Sequence, residues 1–137
     1  MPLPRFDSRA QYTTACQAAA FTVEAMLAAG RWAAASFHAQ QAAEKALKAL
    51  FTEGVGVEPP RTHDLARLAE ELQLKEPWLE GLDLLSRVYL VTRYPGGAAD
   101  DEPPYGIAEE AAHEFGALAE KVVEWVQEAV RTESSSG

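Results

Sequence analysis

Between Ile107 and Arg131, Ala108, Ala111, Ala112, Phe115, Leu118, Ala119, Val122, Val126 and Ala129 recur at three- and four-residue intervals, which is the period of one helix face. Nowhere does the chain alternate apolar and polar residues long enough to make a strand, so the reading is all-α. Four more segments carry the helical period. The first runs from Ser8, which has the spacing of a capping box with Gln11, to Gly30, with Tyr12, Ala15, Cys16, Ala19, Val23, Met26 and Leu27 on one side. A second spans Trp32 to Phe51, with Trp32, Ser36, Ala39, Ala43, Ala46, Leu47 and Leu50 as its apolar face. The glycines of Glu53–Pro60 are expected to break it. A short third helix from Thr62 or His63 to Leu74 turns Leu65, Leu68 and Leu72 inward, and a fourth opens at Pro77 and stops at Pro95. An up-and-down bundle of four long helices plus one short one is therefore expected.

A chain of 137 residues with 47% hydrophobic content buries enough surface to fold as one domain without disulfides, and a lone Cys16 cannot form one internally. The expected unit is 1–133, with 134–137 a flexible tail. No apolar run is long enough for a membrane span and Met1–Ser8 lacks the apolar core of a signal peptide, so a soluble, cytoplasmic protein is expected.

The net charge of -9 is unevenly placed: residues 1–60 balance at zero, 61–99 carry -1 and 100–137 carry -8. DNA is an unsuitable partner because no basic stripe exists to track its backbone. A small anion at the front of the chain remains compatible with this distribution.

Gln41, Glu44, Lys45 and Lys48 share a face of the second helix, with Glu44 and Lys48 at ion-pair spacing, and the ordinary reading is a solvated stripe. Phe37 projects to the same side, which points to a helix or a second subunit covering it; Phe37 and Gln41 are the candidate dimer contacts. His63-Asp64, with His38 and Asp83 or Asp100, has the residue types of a metal-dependent phosphohydrolase, but a helix cap at Thr62 or Asp64 accounts for that pair more simply, and no metal or other cofactor is expected. Cys16, among alanines in mid-helix, reads as a buried inert thiol. Arg87, Arg93 and Tyr94 border the long Tyr94–Gly106 segment.

The run Ala35–Leu50, with Gln41-Ala42-Ala43-Glu44-Lys45-Ala46-Leu47-Lys48 at its centre, followed by Thr62-His63-Asp64-Leu65, Ser86-Arg87 and Arg93-Tyr94-Pro95, resembles the HEPN domain, the higher-eukaryote and prokaryote nucleotide-binding domain. The resemblance implies a helical bundle of this size, homodimerisation and association with nucleotides or RNA. It also implies company: such domains often act beside a separately encoded minimal nucleotidyltransferase in toxin-antitoxin-like or stress modules. Carried onto this chain, it makes Arg93, Tyr94, His63 and Asp64 the candidate nucleotide-binding residues. Many members are metal-independent ribonucleases with an Arg and a His separated by four to six residues. After Arg93 the corresponding positions hold Ala98, Ala99 and Asp100, and Arg31 with His38 has the spacing in the wrong segment. The catalytic residues are therefore unassigned, and the expectation leans away from an enzyme. The rival readings are a ribonuclease with a diverged site using His63 or His38, and a purely structural interaction protein.

Overall fold

A computed structural model of the chain describes residues 11–93 and 107–136, with the backbone alone for 89–93 and 133–136. Five α-helices and no strand occur among the described residues: α1 (Gln11–Ala28), α2 (Trp32–Ala49), α3 (Leu65–Glu71), α4 (Leu82–Arg93) and α5 (Glu109–Ser136). This is the all-α bundle of four longer helices and one short helix that the periodicity predicts. The Ser8 start of the first helix and the Tyr94–Gly106 segment lie outside the described residues.

The bundle is built around α2. Ala33, Ala35, Ala39, Ala42, Ala43, Ala46 and Ala49 are all buried, and α1, α3, α4 and α5 all pack against this helix. Alanine along most of its packed surface removes the bulk that normally holds helix axes apart, so neighbours can come close to it. The core is completed by Leu47, Leu65, Leu68, Leu82, Leu85, Val122 and Val126, each with almost no exposed surface. Gly116 on α5 serves the same closeness, since a Cβ there would lie 3.2 and 3.3 Å from Leu27 and Val23 of α1. Trp78 meets Trp125 edge-on at 5.6 Å and so seats the turn before α4 on α5.

Three connections differ from the sequence reading. Gly54 does not stop the second helix, which continues as a π-helical turn over Leu50–Val55 and ends at Gly56, whose φ of +86° a side chain would resist. Thr13 of α1 and Glu53 in this turn are hydrogen-bonded, which gives the looser winding a side-chain anchor. The segment from Pro77 begins as a 3-10 turn, Pro77–Gly81, and becomes α-helical only at Leu82. The last helix passes Arg131 and continues to Ser136.

The fourth difference bears on the site. A bundle with tight turns would start α3 at the end where α2 finishes; instead residues 56–64 run back along α2, and Gln40 Nε2 donates to the His63 carbonyl at 3.1 Å. From Val55 to Gln40 is about 22 Å of helix, within the reach of nine extended residues. Pro59 and Pro60 keep that segment from winding into helix.

Candidate functional site

Gln40, Glu44 and Lys48 stand at successive four-residue steps of α2 and so lie above one another on one face. Half of the expected solvated stripe is instead part of a buried polar seam: Glu44 and Gln40 above it have no exposed surface and Lys48 has 8%, while Gln41 and Lys45 stay half-exposed. The physical reason is the packing of four helices on α2, which covers Gln40, Glu44 and Lys48 and leaves only the edge of Phe37, Gln41 and Lys45 half-exposed. A charge taken out of water is costly unless paired and hydrogen-bonded, and here it is both. Lys48 Nζ donates to Glu44 Oε2 at 3.0 Å, and Lys45 Nζ lies 3.8 Å from the same oxygen. Gln40 Nε2 donates to Oε1 at 3.1 Å, and His63 Nδ1 is 2.8 Å from that oxygen. Gln41 Nε2 completes the seam by donating to Gln40 Oε1 at 2.6 Å.

Burial alone would push the Glu44 pKa up. Hydrogen bonds from His63, Gln40 and Lys48, together with the Lys48 charge, outweigh it and hold the carboxyl below its ordinary 4.5. Glu44 is therefore ionised at neutral pH and accepts only, so His63 Nδ1 is the donor. This fixes the ring's orientation and directs its Nε2 edge away from Glu44. The His63 side chain remains 53% exposed, a half-open imidazole standing on a buried carboxylate.

The backbone around His63 is pinned from both sides. Thr62 Oγ1 accepts from Asp64 N at 3.1 Å, and Asp64 Oδ1 accepts from Ala66 N and Arg67 N at 3.1 and 3.3 Å. Ser86 Oγ on α4 accepts from Leu65 N at 2.8 Å. The first amides of α3, which have no partner within the helix, are thus met by side chains. Asp64 is the helix cap.

The remaining candidates are placed as follows. Arg93 closes α4, seven residues and about 10 Å of helix beyond Ser86; of Arg93 only the backbone is described, and Tyr94 lies outside the described residues. Phe37 is half-buried with its ring edge-on to His38, centroids 5.3 Å apart, and burial lowers the His38 pKa. Gln41 is half-buried in the seam. Cys16 is buried with its Sγ on the Thr13 carbonyl; burial, aided by the Glu53 charge, pushes the thiol up to about 11, which leaves it protonated. Among the described residues no three His, Cys, Asp or Glu side chains are placed to hold a metal ion, and no helix is long and apolar enough to cross a membrane.

Gln40 is the site residue that sequence reasoning passes over. Its signal is the four-residue ladder Gln40, Glu44, Lys48 on a helix whose opposite face is alanine.

An all-α bundle with a central alanine-rich helix and one buried carboxylate seam defines the class of this protein. The HEPN domain family matches residues 17–129, and the chain belongs to that family. A structure titled TT1696 from Thermus thermophilus is similar at 28% identity with a TM-score of 0.74, over 90% of this chain and 99% of that one. An archaeal HEPN homologue, ST0689, has the same fold at 22% identity with a TM-score of 0.69, over 91% of this chain and 99% of that one. No curated protein matches the chain.

Proposed function

We propose that this HEPN protein is a nucleotide-binding module whose ligand meets the half-exposed imidazole of His63. The observation that carries the reading is the 2.8 Å contact between Glu44, fully buried and ionised, and the exposed imidazole above it. A ring held in this way presents one edge in a fixed direction, either to hydrogen-bond a base or phosphate or to lie against a base. Arg93 supplies the phosphate contact and Tyr94 a second stacking surface, in keeping with the family's Arg-Tyr-Pro segment. Asp64, occupied as a cap, acts by holding His63 in place rather than by touching the ligand.

In this reading the protein is a cytoplasmic homodimer joined along the edge of α2 that carries Phe37 and Gln41, one turn apart, with Gln41 about one turn from Glu44. It works with a separately encoded minimal nucleotidyltransferase in a toxin-antitoxin-like or stress module, as its membership of the HEPN family suggests. Calorimetry with adenine and guanine nucleotides tests the site. A phosphate bonded to an Arg contributes about 1.5 to 3 kcal/mol, so Arg93→Ala is expected to weaken binding about tenfold or more. No binding to the wild type at millimolar nucleotide, or equal binding by Arg93→Ala, overturns the reading in favour of a pure interaction module.

A further inference from the structure

Helix α1 is unusual for an outer helix. It has a single charged residue, Glu24, and apolar residues lie all around it. Phe21 is 75% exposed at its centre, with Ala18, Ala25 and Ala28 also facing outward. Beside Phe21, α1 and α5 enclose a groove of about 590 Å³ floored by Val23, Gly116 and Val123. The absence of a Cβ at Gly116 lets α1 sit close and shapes that floor.

The walls are acidic. Glu24, Glu120 and Glu124 line the groove, and Glu109, Glu110 and Glu114 line the concavity that adjoins it at His113 and Ala117. Among the described residues, neither is lined by a Lys or an Arg. None of these carboxylates belongs to the Glu44 seam.

We infer that the groove between α1 and α5 receives a basic amphipathic helix from a partner protein, its apolar residues against Phe21 and the floor and its Lys and Arg side chains on the glutamate walls. Two helices side by side form the channel into which a third packs, and the exposed aromatic supplies an anchor. Charge selects the occupant. A second copy placed face to face would set six carboxylates against six, whereas a cationic helix neutralises them. The inference stands apart from the nucleotide reading.

The test uses the full chain and a fluorescein-labelled amphipathic peptide of about 18 leucine and lysine residues, with binding read by anisotropy near physiological salt. Micromolar binding is expected. Phe21→Ser, and separately the pair Glu120→Lys and Glu124→Lys, are each expected to weaken it about tenfold or more. The pair Glu70→Lys and Glu80→Lys changes the net charge equally, away from the groove, and is expected to stay within about twofold. All these positions are exposed, so the fold is retained, and circular dichroism verifies it. The inference is overturned by no binding at about 100 µM peptide, by an undiminished affinity of Phe21→Ser, or by an equal loss in the Glu70 and Glu80 control. Self-association of the wild type that Phe21→Ser abolishes also overturns it, because a second copy then fills the groove.

Discussion

At the scale of the residue, the molecule depends most on Glu44. The carboxylate is fully buried and is held by Gln40, Lys48 and His63. Removing one partner of a buried ion pair while leaving the other costs about 3–5 kcal/mol, so Glu44→Ala is expected to lose that much by urea denaturation. Replacing both, as in Glu44→Leu with Lys48→Met, is expected to restore most of it, because an apolar pair has no charge to desolvate. Because the folded-state pKa of Glu44 is depressed below its ordinary 4.5, its contribution is complete above that value and disappears as pH falls through the depressed one. The thermal midpoint of the wild type should therefore fall more steeply below pH 4.5 than that of the double variant, and equal slopes would contradict the pairing. His63 and Asp64 stand out in the sequence as a chemically loaded pair, and Asp64 is readable as a cap. That Glu44 lies beneath His63 was not legible, because nineteen residues separate them and only the returning 56–64 segment brings them together.

At the scale of the element, helix period places α1, α2 and α5 within a few residues of where the structure has them, since each presents a continuous apolar face. The period fails where neighbours cover most of a helix. In α2 the rule that polar residues point to water assigns Gln41, Glu44, Lys45 and Lys48 to solvent, yet only Gln41 and Lys45 keep a half-exposed edge, and Glu44 and Lys48 are buried under the neighbouring helices. The clue is composition rather than period: seven buried alanines within Trp32–Ala49 mark a helix that its neighbours approach closely. Ala43 has no exposed surface, so Ala43→Leu overpacks this centre. The expected loss is about 1–3 kcal/mol in chemical denaturation; an unchanged midpoint would mean that α2 has more room around it than its burial indicates.

At the scale of the whole molecule, the charge map separates two surfaces. The C-terminal third carries -8 of the net -9, which sets the acidic α5 wall of the groove apart from the balanced first sixty residues that form α1 and α2. Light scattering at tens of micromolar should give the mass of a dimer, about the range where even weak self-association is populated, and Phe37→Glu should give a monomer of 14.9 kDa. A monomeric wild type would remove the dimer from the account. The central claim, that a nucleotide is received at the imidazole standing on Glu44, is tested most directly by following the His63 ring resonances by NMR during titration with ATP. The account predicts saturable shifts at the His63 ring and at the amides of residues 62–65, weakened in Glu44→Gln, where the ring loses its charged acceptor. Shifts confined to α1 and α5, or none at millimolar ATP, would contradict it.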